Sequence, residues 1–425
     1  MIVPSIDLRG GNTVQLIGGK ELALDAGDPR PIAESFGRVG EIAVIDLDAA
    51  MSRGSNVDMI RELLPIARCR VGGGIRDVQA AVRWLDAGAA KVILGTAARP
   101  NILRELPPER VIAALDAVDG EVVVEGWNTR TGQRVEDRID ELKGLVGGFL
   151  ITFVEQEGRM TGLPSERVRE LVERAAPARV TVAGGVRDAR DIAAADEAGA
   201  DAQVGMALYT GAMGIADAFA APLRSDRADG LWPTIIVDER GVALGLAYSS
   251  PDSLRASLET GRGVYFSRSR GSLWEKGSTS GDTQELIRVD ADCDRDTLRF
   301  TVRQHGRGFC HAGTRTCFGD ERGLGLLERT VEARVSDAPP SSYTRRLLED
   351  HALIASKLRE EADELVNAND RAHAAEELAD VLYFAAVAAA RRGATITDAE
   401  RVLDARALRI TRRAGDAKEE VRGNR

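Results

Sequence analysis

The stretch "VGGGIRDVQAAVRWLDAGAAKVILGTA" (71–97) returns, with its Gly-Gly and Arg-Asp pairs in place, as "VAGGVRDARDIAAADEAGADAQVGMAL" (182–208). Each copy reads as a strand end, a glycine turn, an alanine-rich helix and a second short strand. A duplication of this kind implies two alike halves. Working outward, "PSIDL" (4–8) is answered by "AALDA" (113–117), which puts Asp7 and Asp116 at matching points. Between these marks, β-branched runs such as "EIAVIDLD" (41–48) and "GGFLITFV" (147–154) alternate with helical stretches, the pattern of βα units around a parallel sheet. Two halves of four units over residues 1–222 predict an α/β fold, a (β/α)8 barrel.

The pattern changes after "APLRSDRADGLWP" (221–233). Residues 223–335 read as a small strand-rich α+β domain, with strands in "TIIVDERGVALGLAY", "GVYFSRSR", "ELIRVDADCD" and "TLRFTVRQ". Beyond "SDAPPSSYT" the remainder, 336–425, reads as all-α, with long helices over 343–366, 371–392 and 397–413 and a helix stop at Gly393.

Composition narrows the function classes. A net charge of -10 gives no basic face for nucleic acid. The longest apolar run, "VLYFAAVAAA" (381–390), is half of the roughly 20 residues a membrane span needs. No targeting segment is visible, so a cytoplasmic protein with no membrane partner is expected. Three of the four cysteines fall between 293 and 317, a clustering that points to a metal rather than disulfides.

The densest charge lies in "VDADCDRD" (289–296). On a strand, Asp290, Asp292, Asp294 and Asp296 would share one face with Cys293 opposite. No glycine follows them and no glutamate closes the frame, so a calcium loop of the EF-hand type is disfavoured. Three thiolates, from Cys293, Cys310 and Cys317, suit a catalytic zinc that keeps an open position; buried structural cysteines are the plainer alternative. "YFSRSRGSLWEKGSTSGDTQ" (265–284) sets Arg268, Arg270 and Lys276 among small hydroxyl residues, as a phosphate cradle or a solvated turn would.

Taken together, "SRSRGSLWEKGSTSG", "DCDRD" and "CHAGTRTCF" closely resemble phosphoribosyl-AMP cyclohydrolase of histidine biosynthesis, over about 231–320. The resemblance implies hydrolytic opening of the adenine ring of phosphoribosyl-AMP. It also implies zinc on Cys293, Cys310 and Cys317, magnesium on Asp292, Asp294 and Asp296, and a homodimer that shares the zinc cysteines between chains. His311 is a candidate proton carrier, with a hydrogen-bonded structural histidine as its rival reading.

In the helical region, "KLREEADELV" (357–366) and "AAEELADVLYF" (374–384) carry acids three apart, which places Glu361 with Glu364, and Glu377 with Asp380, on single helix faces. Facing each other they would make an oxygen-lined magnesium site; solvated acidic faces are the alternative. The E-x-x-E and E-x-x-D pattern, with "SSYTRRL" (341–347), resembles phosphoribosyl-ATP pyrophosphohydrolase, and "ITRRAGDAKEE" (410–420) resembles the tail of multifunctional fungal versions. That resemblance implies magnesium-assisted cleavage of phosphoribosyl-ATP to phosphoribosyl-AMP and pyrophosphate. Arg345, Arg346 and Lys357 are candidate phosphate contacts.

The barrel resembles the ProFAR isomerase of the same pathway through "IDL", "VGGGIR", "VILGTA", "LDAVDG", "EGW" and "AGGV", in order. The resemblance implies Asp7 and Asp116 as the base and acid of an Amadori rearrangement, with the turns 72–74 and 95–96, and 184–185 and 205, cradling two phosphates. Four departures stand out. Thr152, Phe153 and Val154 replace the family's T-D-I, which removes an acid, and Gln15, Glu125 and Met206 occupy basic positions. The expectation is therefore a bifunctional hydrolase with a degenerate barrel, with a trifunctional enzyme or a ligand-sensing barrel as alternatives.

Overall fold

The computed structural model describes residues 1–411 except Glu125, Asn128 and Asp320. Eight parallel strands close on themselves: β1 (Ile2–Arg9), β2 (Ile42–Asp46), β3 (Cys69–Gly72), β4 (Lys91–Leu94), β5 (Val111–Val118), β6 (Gly148–Phe153), β7 (Arg179–Ala183) and β8 (Ala200–Val204). They pair in sequence order, β8 joins β1 through Ile2 and Ala202, and β5 joins β6 through Ile112 and Gly148. Ile93, Ile112, Leu150 and Ala183 from four successive strands pack inside, so the barrel is filled rather than hollow. Outside, Ile6, Val44 and Val71 meet helix residues such as Phe36, Ile60 and Leu63.

The duplication extends to the decorations. β1 leads into an antiparallel pair, Asn12–Ile17 with Glu21–Gly27, and β5 leads into another, Glu121–Val124 with Thr129–Arg134. After β3 and β7 the Arg-Asp pairs start matching helices, Val78–Ala87 and Ala189–Glu197. The carboxylates of Asp77 and Asp188 accept backbone N–H bonds there as N-caps.

Residues 232–304 add a four-stranded sheet in the order Ala243–Ser249, Trp232–Val237, Leu298–Gln304, Gln284–Ala291. Its core holds Leu254, Tyr265, Val289 and Phe300. This sheet rests on the barrel end where the strands begin: the Val289 amide donates to the Arg38 carbonyl at 2.7 Å. The Arg38 side chain donates to the Leu258 carbonyl at 3.0 Å.

By compactness the chain has two units, Met1–Gly306 with the described residues from Leu408 onward, and Arg307–Ala407. Residues 307–335 thus fall with the helices. The second unit contains the helices Gly323–Ser336, Tyr343–Glu349, His351–Val366, Arg371–Ala390 and Ile396–Ala407 around Val331, Leu347, Ile354, Phe384 and Val387. The single helix expected over 343–366 is two, because Asp350 leaves helical geometry and its carboxylate caps the Leu353 amide. Gly393 ends its helix with φ +71, a conformation that favours glycine. No described helix is long and apolar enough to cross a membrane.

Candidate functional site

At the C-terminal ends of the barrel strands lies a cavity of about 1390 Å³. Asp7 on β1 and Asp116 on β5 enter it from opposite sides of the ring. Burial pushes the Asp7 carboxyl up to about 6, although the Ser5 hydroxyl donates to it at 3.0 Å. Burial also raises Asp116, against hydrogen bonds from Thr152 and Trp127.

A third acid shares the cavity. Glu157 follows the short turn Val154–Gln156 at the end of β6, and its carboxyl is pushed up to about 8 by burial and then by the charges of Asp7 and Asp116. Phe153 itself brings no acid, but Glu157, four residues on, places a carboxyl in the cavity. The Glu157 carbonyl accepts from the Gly18 amide at 3.2 Å, and a Cβ on Gly158 (φ +72) would lie 2.6 Å from the Leu16 carbonyl oxygen. The hairpin after β1 therefore presses this turn inward. The Glu-Gly pair at 157–158 was the signal to find it by. Burial and the neighbouring charges thus make Glu157 hold its proton more tightly than Asp7 does, within one cavity.

The glycine turns line the same cavity from both halves. A Cβ on Gly73 would lie 2.2 Å from the Asp46 carbonyl oxygen, and one on Gly184 2.4 Å from that of Phe153, so the duplication reproduces one close approach twice. Gly95 instead faces open space. Gln15 is buried against the Val14 carbonyl and Met206 lines the cavity, but Arg9, Lys20, Arg53, Arg76 and Arg99 line it too. These five residues give the cavity lining positive charge. Glu125 lies outside the described residues.

The aspartate stretch is not a strand throughout. Its strand stops at Ala291 and residues 292–297 form the turn back to Leu298. The turn, rather than strand alternation, brings one carboxylate oxygen each from Asp292, Asp294 and Asp296 within 4.8 Å of one another. Asp292 accepts from the Asp296 and Thr297 amides, both at 3.1 Å, and those bonds hold its carboxyl low despite burial. Asp290, still on the strand, is taken by Arg288 and Arg299, each at 2.9 Å. Three converging acids, one of them low in pKa, fit a hard divalent cation.

Cys293 belongs to the first compact unit, Cys310 and Cys317 to the second; Cys293 and Cys317 are exposed, Cys310 half-buried, and none is in a disulfide. His311 is exposed. The Arg268 guanidinium stacks on Tyr248 at 3.8 Å, and Arg270 bonds Ser267 and lies 6.0 Å from the Trp274 ring. Lys276, expected at a phosphate, is buried with its ammonium on the Asp282 carbonyl at 3.0 Å.

In the helical unit Glu361, Glu377 and Asp380 bring carboxylate oxygens within 4.8 Å of one another. Glu377 is raised by burial and by Glu364, so all four predicted acids gather. One oxygen of Glu377 is buried without a hydrogen-bond partner, and Lys357 pairs with Glu361 at 2.7 Å. An acid cluster with Glu361 buried, Asp380 exposed and an orphaned oxygen on Glu377 fits a divalent cation. Arg345 and Arg346 are exposed, and Arg345 is bonded to Glu349 at 2.9 Å.

Residues 1–214 match the histidine biosynthesis protein family, 245–319 phosphoribosyl-AMP cyclohydrolase and 324–407 phosphoribosyl-ATP pyrophosphohydrolase. A histidine biosynthesis trifunctional protein of Neurospora crassa is 50% identical over 208 residues, 49% of this chain and 24% of that protein. The histidine biosynthesis bifunctional protein his7 of Schizosaccharomyces pombe is 48% identical over 206 residues, 48% of this chain and 49% of the relative. The chain thus spans about a quarter to a half of these relatives. An imidazole-4-carboxamide isomerase of Gemmatimonas aurantiaca is 36% identical over 225 residues, 50% of this chain and 94% of the isomerase. With a match over half its length and an isomerase covered almost end to end, the chain belongs to the histidine biosynthesis protein family.

Proposed function

We propose that this chain is a trifunctional enzyme of histidine biosynthesis. It hydrolyses phosphoribosyl-ATP to phosphoribosyl-AMP and pyrophosphate, opens the adenine ring to give ProFAR, and isomerises ProFAR in its barrel. The observation that carries the barrel's part is the shared cavity of Asp7, Asp116 and Glu157, with acid and base values pushed apart and glycine turns on both sides. A relic kept for packing has no need of three destabilising acids in one cavity. Asp7 and Asp116 are the proton-transfer pair of the Amadori rearrangement, and Glu157, protonated at neutral pH, donates a hydrogen bond and limits the negative charge beside them.

For the hydrolytic steps, magnesium is assigned to Asp292, Asp294 and Asp296 and to Glu361, Glu364, Glu377 and Asp380. Zinc is assigned to the thiols of Cys293, Cys310 and Cys317. Such cations supply a hydroxide near neutral pH and charge neutralisation for phosphate oxygens. The chain's own residues gather and orient the ligands: Asp292 is fixed by two amides, and Lys357 holds Glu361. Arg268, stacked flat on Tyr248, offers its guanidinium edge to a phosphate. The zinc cysteines are shared across a homodimer in this reading, and the enzyme is cytoplasmic.

The test supplies phosphoribosyl-ATP, magnesium and zinc to the purified chain and separates the products by chromatography. Mass alone counts the two hydrolyses, but the isomerisation leaves mass unchanged, so the ketose product is identified by its carbonyl carbon in NMR. Accumulation of the ketose supports three working sites; a halt at ProFAR returns the barrel to a relic.

A further inference from the structure

The turn that carries the three aspartates is fastened to the barrel both from the strand that enters it and from within. On the entering strand, the Val289 amide donates to the Arg38 carbonyl, which follows the first barrel helix Pro29–Gly37. Within the turn, Arg295 has φ +71, a left-handed conformation costly for a side-chain-bearing residue. Its guanidinium reaches out of the turn to Asp196 at the end of helix Ala189–Glu197, with contacts of 3.0 and 3.4 Å. It also donates to the Asp292 carbonyl at 3.0 Å, so a single side chain ties the first aspartate of the triad to the barrel. The Arg295 carbonyl in turn accepts from the Arg224 amide at 2.8 Å.

The barrel side of this contact is held as firmly. Asp196 accepts from the Met1 nitrogen at 2.8 Å, which also reaches Asp201 at 3.2 Å; Asp201 is buried and pairs with Arg70 and Arg179. Arg295 and Asp196 are both largely shielded from water, with side-chain exposures of 21% and 16%. A charge-assisted pair in that setting is stronger than a surface ion pair. All these residues sit where the strands begin, at the end opposite the Asp7–Asp116 cavity.

We propose that the barrel is a structural arm of the ring-opening site, with Arg295 and Asp196 acting as positioning residues. They hold the aspartate turn in the geometry that gathers Asp292, Asp294 and Asp296. Four aspartates in eight positions repel one another, and the turn needs an outside anchor to keep three of them converged before a cation arrives. The proposal rests on the reading of those aspartates as magnesium ligands, but the clamp itself is testable without metal.

The experiment compares the full chain with Asp196→Asn, Arg295→Gln and Asp196→Glu. Metal-free hydrogen–deuterium exchange is followed at the Asp296 and Thr297 amides, which bond Asp292 only while the turn is formed. Loss of the clamp speeds their exchange about tenfold in the first two variants. Binding of Mn2+, followed by electron paramagnetic resonance in a Glu361→Gln background that disables the helical cluster, weakens by about tenfold. In the ring-opening assay the Mg2+ half-saturation rises while the rate at saturating Mg2+ is kept. Asp196→Glu restores all three. Exchange and Mn2+ affinity within about twofold of the parent chain in both Asp196→Asn and Arg295→Gln overturn the clamp. Absence of Mn2+ binding to this turn in the parent chain overturns the magnesium reading, and the exchange result then decides the clamp alone.

Discussion

The barrel mouth and the aspartate turn both crowd carboxylates, and they discharge them in opposite ways. In the mouth, burial raises Asp7 to about 6 and Glu157 to about 8, a setting suited to proton transfer. In the turn, backbone amides hold Asp292 low, which suits a cation as the counter-charge. The helical cluster stands between: Glu377 is raised by burial and by Glu364, yet Lys357 already neutralises Glu361. In the function proposed above, environment rather than residue type separates proton transfer from metal binding.

The sharpest way to break that contrast is to neutralise acids one site at a time. Asp7→Asn or Asp116→Asn is expected to slow isomerisation about 10³-fold, the scale of a lost general acid or base, and to leave both hydrolyses unchanged. Glu361→Gln is expected to slow pyrophosphate release by about two to three orders of magnitude while ring opening persists, and Cys310→Ser to do the reverse. Rates of each step measured from its own substrate check both statements. If either hydrolase variant killed both hydrolyses in a folded protein, the division of labour would be wrong.

The pH response sharpens the comparison further. Isomerisation kcat/KM is expected to rise through about 6 as Asp7 ionises and to fall through about 8 as Glu157 loses its proton; Glu157→Gln removes the upper limb. Stability follows the same groups. Their folded-state values lie above ordinary carboxylate values, so their contribution is fully present below about pH 4 and is lost as pH rises through about 6 and then about 8. Asp7→Asn therefore stabilises the barrel by roughly 1–2 kcal/mol above pH 7, seen as a higher Tm that vanishes near pH 4. The smallest effect is expected at Asp290, which pairs with Arg288 and Arg299: Asp290→Asn leaves the Mg2+ dependence of ring opening within about twofold of the parent.

Much of this architecture was legible in the sequence because the duplication is periodic and local: Gly73 and Gly184, and Asp77 and Asp188, do the same backbone work in each half. The acidic clusters were legible too, since spacing of three on a helix sets carboxylates together. What escaped depends on non-local packing. Glu157 enters the cavity because a hairpin more than a hundred residues away presses on Gly158. The convergence of Asp292, Asp294 and Asp296 comes from a turn that starts after Ala291, where strand alternation alone would have set them with Asp290. Lys276 is buried, with its ammonium donating to a carbonyl six residues on. The tail at 412–425 lies outside the described residues.

The central claim, that the barrel mouth transfers protons, is tested most directly by giving the purified chain ProFAR alone in deuterated water. Formation of the ketose isomer with deuterium at its new methylene carbon, abolished by Asp7→Asn, is the predicted result. Recovery of unchanged ProFAR, in a protein that still releases pyrophosphate from phosphoribosyl-ATP, would contradict it.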